Sequence, residues 1–337
     1  MITRIASRKE PPAWRRELAA AITDPAELLE ALSLPATLLP ELLPAQRDFR
    51  LRAPPGFVAR MEKGNPRDPL LLQVLPQVAE TAPPPPGYSS DPVGDLAASP
   101  TPGLIHKYAG RALLIASPAC AIHCRYCFRR QFPYGDSVTS PENWRGALDY
   151  LADTPTINEV ILSGGDPLML GDEQLAGVVA GLEAIPHVSV LRIHSRLPVV
   201  IPARIDEDQL RFLDKSRMQV VMVIHCNHPA ELDDALQSAL RRLAERGIAL
   251  YNQSVLLKGV NDDAEALDRL SRRLFDCGVQ PYYLHLLDKV VGAAHFDLEE
   301  ARARAIYAEL SGRLPGYLLP RLVRDIPDRP SKTICPP

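Results

Sequence analysis

The chain has 337 residues, a formal net charge of −3 at pH 7 and a pI near 6.3. Its 38 basic residues are dispersed, which argues against a nucleic-acid-binding surface and against a polybasic membrane patch. The apolar runs are too short to span a membrane, and the N-terminal stretch 1–12 lacks the apolar core of a signal peptide. We therefore expect a soluble cytoplasmic protein that binds neither nucleic acid nor membrane. Its length allows one large domain with appendages, or two domains.

The N-terminal part of the sequence predicts an arm around a separate body. Residues 12–33 are rich in Ala, Leu and Glu and predict two short helices, with the Asp24-Pro25 pair as cap and first turn of the second. Prolines concentrate in segments 35–102 and 315–337, which therefore cannot carry long helices or central strands. Apolar residues such as Phe57 within these segments indicate extended arms that wrap a body.

From about residue 108, short apolar runs alternate with amphipathic helical stretches. Continuous apolar strands separated by helices are typical of parallel βαβ units that are buried on both faces. The pattern predicts an α/β fold, a partial (β/α)6 barrel with its helices outside, and a doubly wound open sheet stays as the alternative. The predicted strands are 112–116, 159–162, 188–194, 219–225, 250–256 and 281–287, and the predicted helices are 141–152, 172–184, 206–215, 231–246, 263–277 and 298–312. The predicted domains are an arm at 1–105, the barrel core at 106–312 and a short extended tail at 313–337.

Three cysteines lie together in a loop directly after the first predicted strand. Cys120, Cys124 and Cys127 form a Cys-x3-Cys-x2-Cys array. This array suits tetrahedral zinc poorly, because zinc takes four ligands and usually pairs of Cys-x2-Cys. Three thiolates on a four-iron cluster leave one iron free to bind a small chelating molecule. The other three cysteines have no nearby partner and are interpreted as packing residues.

Polar residues follow each predicted strand at its carboxyl end, the edge that carries the chemistry in parallel α/β folds. Gly164-Gly165-Asp166 after the second strand lets the backbone approach a ligand closely. An arginine fork such as that of Arg129 or Arg130 suits a carboxylate, although for Arg130 a structural role is equally favoured. His194, His225, His228 and His285 also lie near strand ends, and for them the choice between cofactor contact and space filling stays open.

The tail carries the second informative stretch. An apolar extended run over 317–323 is followed by Asp325, and Lys332 comes seven residues later. A lysine that an arm delivers into a closed pocket can be desolvated enough to form a Schiff base. By itself a solvent-exposed lysine would be the ordinary interpretation.

Together these motifs resemble the lysine 2,3-aminomutase family of radical S-adenosylmethionine enzymes. The resemblance covers about residues 50–337 and rests on FVARMEKGNPRDPLLLQVLP, CAIHCRYCFRR, ILSGGDPL, RIHSRLPVVIPARI, YNQSVLLKGVND, PYYLHLLDKVVGAAHF and the terminal PGYLLP…RD…SK. Because the sequence ends shortly after Lys332, it is most similar to the short branch of the family, which makes (R)-β-lysine for modification of elongation factor P. A free-lysine aminomutase that makes an osmolyte or antibiotic precursor is the alternative.

The resemblance implies a role for each candidate residue. Cys120, Cys124 and Cys127 would hold a 4Fe–4S cluster, and Lys332 would carry pyridoxal 5′-phosphate, with Lys107 and Arg111 at its phosphate. Gly165, Asp166 and Gln253 would lie near S-adenosylmethionine. Arg129 would bind the carboxylate of L-lysine, and Asp288 and Asp325 its side-chain ammonium.

The implied partners are L-lysine, an external reductant of flavodoxin or ferredoxin type and, through the product, a lysyl ligase of elongation factor P. A radical RNA-modifying methyltransferase is disfavoured because the sequence lacks a basic patch, and a cluster-bearing structural module would not need six polar strand ends. The sequence leaves open whether the chain forms a homo-oligomer.

Overall fold

In a computed structural model, the structure describes residues 10–135 and 141–336, with the side chains of 141–143 left out. Residues 1–9 lie outside the described residues. They belong to the N-terminal stretch 1–12, which lacks the apolar core of a signal peptide. One sheet runs through the described part of the chain, and its strand order follows the chain order from β1 to β9. The strands are β1 Leu104–Tyr108, β2 Arg111–Ser117, β3 Glu159–Gly164, β4 Val190–Ser195, β5 Gln219–His225, β6 Ala249–Val255, β7 Gln280–His285, β8 Arg321–Arg324 and β9 Thr333–Ile334.

Strands β2 to β8 are parallel, and only the two outermost pairs, β1 with β2 and β8 with β9, are antiparallel. A doubly wound sheet reverses its strand order at a switch point, and this sheet does not. The partial barrel is therefore confirmed. The longer helices between its strands are α6 Pro141–Ala152, α7 Asp172–Glu183, α9 Asp234–Glu245, α10 Ala264–Asp276 and α11 Glu300–Arg313.

The connection from β4 to β5 differs from the prediction of a helix over 206–215. The structure has a short helix, α8 Leu197–Val200, and a 3₁₀ turn at Arg211–Lys215. The Asp206 side chain accepts hydrogen bonds from the backbone N–H groups of Asp208 and Gln209 and so stabilises a turn in place of a helix. Leu210 then takes a left-handed conformation with φ of 61°, which no helix interior accepts.

The N-terminal arm packs onto the barrel. It contains α1 Ala13–Ala19, α2 Pro25–Ala31, α3 Leu39–Asp48, α4 Pro55–Val58 and α5 Pro69–Leu72. The side chain of Asp24 caps α2 by accepting from the N–H of Ala26. Trp14, Phe57 and Leu70 are buried in the same apolar cluster as the residues of the barrel strands. The arm is thus part of the core of the protein.

The tail also enters the sheet, since β8 pairs with β7 and β9 folds back on β8. Strand β1 lies at the other end of the strand order. It crosses the position between residues 105 and 106 at which the sequence placed the boundary between the arm and the core. The two ends of the curled sheet meet at one point, where the Tyr108 hydroxyl donates to Asp325 Oδ1 at 2.8 Å. Side chains from β1 and from the β8–β9 connection therefore face the same cavity. Within the described residues, no helix has the length and apolar character needed to cross a membrane.

Candidate active site

A cavity with a volume of about 270 Å³ opens at the carboxyl ends of the parallel strands. Every residue to which the resemblance gives a site role lines it. These residues are Lys107, Arg111, Cys120, Cys124, Cys127, Arg129, Gly165, Asp166, Gln253, Asp288, Asp325 and Lys332. The structure therefore brings together residues that are more than 200 positions apart in the sequence.

The three cysteines of the array are free thiols that face the cavity. Burial and then the neighbouring Cys124 raise the pKa of Cys127 to about 11, and burial with Cys127 raises that of Cys120. Crowded thiols of this kind become thiolates readily only when a cationic centre joins them. Over residues 10–135 and 141–336, no three His, Cys, Asp or Glu side chains are arranged to hold a single metal ion. That finding concerns single ions and not an iron–sulfur cluster, because each cysteine of a cluster binds a different iron atom.

The glycines after β3 permit close contact with the cysteine loop. A Cβ on Gly164, whose φ is +116°, would lie 2.7 Å from the carbonyl oxygen of Ser117, and one on Gly165 would lie 2.6 Å from that of Ala119. The N–H of Gly165 donates to Ser117 O, and the N–H of Asp166 donates to Ala119 O. These glycines therefore fix the cysteine loop against the end of β3.

The side chain of Asp166 is engaged by the protein. Its buried carboxylate accepts hydrogen bonds from Ser195 Oγ and from the backbone N–H groups of Arg196 and Leu197. Asp166 thus ties the end of β4 to the glycine turn, and its carboxylate is occupied by these contacts.

In one part of the cavity lining, Lys332 pairs with one carboxylate and lies near a second. Its Nζ lies 2.8 Å from Asp325 Oδ2, and the other oxygen of Asp325 accepts from Tyr108. Burial, opposed by the nearby Lys332 and assisted by Asp325, raises the pKa of Asp288 to about 7. Among the described residues, the carboxylate of Asp288 has no hydrogen-bond partner. We call Asp288, Asp325 and Lys332 the Lys332 end.

In another part of the cavity lining, one carboxylate holds two cations. Asp95 accepts from Arg129 Nε at 2.8 Å through one oxygen and pairs with Lys107 Nζ at 2.5 Å through the other. Burial alone would raise the pKa of Asp95, but Arg129 and Lys107 lower it. Arg129 also donates to Ser163 Oγ at 3.3 Å. We call Asp95, Lys107 and Arg129 the Arg129 end, and Asp95 is a member that the sequence did not reveal.

Arg130, the other arginine that was considered for a ligand, has a structural role. It donates to Glu80 at 2.9 Å and to the carbonyls of Arg125 and Gly292 at 3.0 Å. Arg125 pairs with the same Glu80, so the two arginines attach the arm to the cysteine loop.

The four histidines near strand ends divide into two groups. His194, His225 and His285 line the cavity, and burial lowers the pKa of His225 to about 3. The Nε2 atoms of His194 and His285 are buried without a hydrogen-bond partner among the described residues, so they are available to a ligand. His228 lies elsewhere and caps a 3₁₀ turn by accepting from the N–H of Ala230.

A buried polar cluster behind the cysteine loop was also not predicted. Arg196 donates to Cys124 Sγ at 2.7 Å, to the hydroxyl of Tyr126, to Gln73 Oε1 at 2.7 Å and to Glu231 Oε2 at 3.2 Å. The sequence contains little indication of this cluster, because Arg196 is one of many polar residues near strand ends and because Gln73 and Glu231 come from distant segments. The cluster places a positive charge beside one of the three thiols.

The chain has relatives among known proteins. The profile of the Radical SAM superfamily matches residues 114–270. The L-lysine 2,3-aminomutase of Escherichia coli (strain K12) is 50% identical over 95% of this chain and 93% of its own length. The protein of the same name from Haemophilus influenzae is 48% identical over 97% of this chain and 96% of its own. That from Buchnera aphidicola is 45% identical over 95% of this chain and 94% of its own.

Proposed function

Since the chain belongs to the L-lysine 2,3-aminomutase family of radical S-adenosylmethionine isomerases, we propose that it converts L-lysine into (R)-β-lysine. One observation carries the proposal. Three free thiols, a lysine and two carboxylates from separate elements line a single cavity. Such a cavity can keep a radical-generating centre and an amino acid together, away from bulk water.

The cofactors of this family are a 4Fe–4S cluster, S-adenosylmethionine and pyridoxal 5′-phosphate. The residues present fit them, because the three free thiols supply a cluster donor set and the unpartnered histidines leave polar atoms for a ligand. We assign the cluster to Cys120, Cys124 and Cys127 and the aldehyde cofactor to Lys332. When bound, these groups supply a radical that removes hydrogen from the substrate and an aldehyde that holds its migrating nitrogen.

The smaller assignments around the cofactors rest on position. Lys107 and Arg111 offer cations on β1 and β2 for the cofactor phosphate. Gly165, Asp166 and Gln253 are assigned to S-adenosylmethionine because they line the same cavity as the three thiols.

The charges of the two ends support a basic amino acid as substrate. At the Arg129 end, the Arg129 guanidinium keeps donors beyond its contacts with Asp95 and Ser163, and the Lys332 end has two carboxylates for one cation. An amino acid with a carboxylate at one end and a side-chain ammonium at the other compensates both. We assign the substrate carboxylate to Arg129 and the ammonium to Asp288 and Asp325. An acidic substrate would leave Asp288 and Asp325 uncompensated.

The test is anaerobic incubation of the reconstituted protein with L-lysine, S-adenosylmethionine and a reductant, with separation of the product enantiomers. We expect (R)-β-lysine, and a protein that cleaves S-adenosylmethionine without forming β-lysine would contradict the proposal. Lys332→Ala should remove the visible absorbance of the bound pyridoxal, whereas Lys289→Ala, a change at an exposed lysine, should preserve it. Cys124→Ala should abolish the cleavage of S-adenosylmethionine.

We also propose that the product serves the modification of elongation factor P, as the resemblance to the short branch implies. The proposed reaction needs an external one-electron donor of flavodoxin or ferredoxin type and reduced thiols, which suits the cytoplasm. Deleting the gene should leave elongation factor P without its β-lysyl group in intact-mass spectra, and added (R)-β-lysine should restore it. Unchanged modification together with loss of a free β-lysine pool would favour the free-lysine alternative.

A further inference from the structure

We propose that Asp325 is a shared counter-ion, which holds the Lys332 ammonium when the protein lacks its aldehyde cofactor and is released to the substrate ammonium when the cofactor is attached. Tyr108 is the positioning residue that keeps Asp325 in place in both states. This inference rests on the proposed function, because it concerns how the same cavity acquires its selectivity for a basic substrate.

The first step of the argument is the contact itself. Lys332 Nζ and Asp325 Oδ2 are 2.8 Å apart in a partly buried place, with the side chains 23% and 14% exposed. A substrate ammonium at Asp325 would need the position that the Lys332 ammonium takes. The Lys332 ammonium repels a second ammonium at this oxygen, so Lys332 competes with a substrate for the site.

The second step is the change of charge when Lys332 reacts. Its ammonium first releases a proton to solvent, and the free amine then bonds to an aldehyde carbon while the aldehyde oxygen leaves as water. No free ammonium remains beside Asp325 after this condensation. Asp325 then lacks the ammonium that it held, and Asp288 has no hydrogen-bond partner among the described residues, so an arriving ammonium meets no resident ammonium at either carboxyl group. Loading of the cofactor therefore creates the demand for a substrate ammonium.

The third step concerns Tyr108. Once Lys332 no longer bonds to Asp325, the hydrogen bond from the Tyr108 hydroxyl to Asp325 Oδ1 at 2.8 Å still orients the carboxylate. Tyr108 belongs to β1, at the opposite end of the strand order from β8. Asp325 is therefore held by a residue that does not belong to the C-terminal tail. The Arg111 guanidinium lies 4.5 Å from the centroid of the Tyr108 ring and supports that ring.

The experiment measures binding of n-butylammonium to the full chain without pyridoxal 5′-phosphate, by isothermal titration calorimetry under anaerobic conditions. Lys332→Met removes the resident cation and keeps the apolar stem, so we expect at least about tenfold tighter binding than in the wild type. Lys332→Arg keeps a cation and should show no gain. Lys289→Met, at an exposed lysine next to Asp288 in sequence, is the matched control and should also show none.

Second changes test the parts of the proposal. Adding Asp325→Asn to Lys332→Met should cancel the gain, and adding Tyr108→Phe should reduce it. Equal affinity in the wild type and Lys332→Met, or a gain that survives Asp325→Asn, would overturn the proposal. Lys332→Ala is run in parallel in case the methionine variant does not fold. No turnover is measured, so the result is independent of whether the protein forms β-lysine.

Discussion

The Arg129 end and the Lys332 end of the cavity are built from similar groups but differ in how their charges are matched. At the Arg129 end, both oxygens of Asp95 are engaged by cations that come from other elements. At the Lys332 end, Asp325 is engaged and Asp288 has no partner within the described residues. The first end is therefore preorganised before any ligand arrives, whereas the second becomes compensated only when a cation binds. We therefore infer that the Arg129 end orients the substrate and that the Lys332 end selects a substrate with a side-chain ammonium.

The largest expected effect is at the end that lacks a cation. Asp288→Asn should lower kcat/KM for L-lysine by about 100-fold or more, because the substrate ammonium loses a buried ionic partner. Steady-state kinetics with the reconstituted enzyme check this, and the exposed Asp276→Asn is the control. Unimpaired turnover in Asp288→Asn would remove the distinction between the two ends.

The preorganised end should respond mainly in stability. Asp95→Asn leaves the buried Arg129 and the partly buried Lys107 without their carboxylate and should lower the free energy of unfolding by about 3 kcal/mol. Urea denaturation of the cofactor-free protein measures this change. An equal loss of stability in Asp288→Asn would show that the two ends are built alike, because removing an unpartnered carboxylate should not destabilise the protein.

The raised pKa of Asp288 predicts a pH dependence that belongs to the Lys332 end alone. Its ionised form binds an ammonium, so kcat/KM for L-lysine should rise as the pH rises through about 7. In the cofactor-free protein, the stability from protonated Asp288 is present at low pH and is lost as the pH rises from about 4 towards about 7. A pH profile without this rise would contradict the assignment of Asp288.

The smallest effect is expected for the histidine outside the cavity. His228→Ala removes a cap from a short turn and should cost about 1 kcal/mol of stability without changing kcat/KM. His225→Ala, in the cavity, is the contrasting variant and should lower activity. Reduced activity in His228→Ala with normal stability would mean that the described cavity omits part of the site.

Sequence patterns identified the site residues whose position depends on strand order. They did not identify the residues whose contacts depend on how far the sheet curves. Parallel strands bring their carboxyl ends to one edge, so the cysteine loop, the glycine turn and Asp288 could be assigned to one cavity in advance. Asp95 and Tyr108 could not, because their contacts with Arg129 and Asp325 depend on how the arm wraps and how far the sheet curls. The pairing of Tyr108 with Asp325 spans 217 positions and joins opposite ends of the sheet.

The predicted helix over 206–215 failed for a local reason. A composition rich in charged residues and leucine favoured a helix, but the Asp206 side chain stabilises a turn by accepting from its neighbours. The tail was recognised as extended, and its pairing with β7 was missed because a four-residue strand has almost no periodic signal.

The central claim is that the cysteine loop and Lys332 serve one substrate in one cavity. Incubation with L-lysine deuterated at its β-carbon, followed by mass spectrometry of the 5′-deoxyadenosyl group, tests it most directly. The account predicts that deuterium appears in that group while β-lysine forms. Cleavage of S-adenosylmethionine with no deuterium transfer from lysine would contradict it.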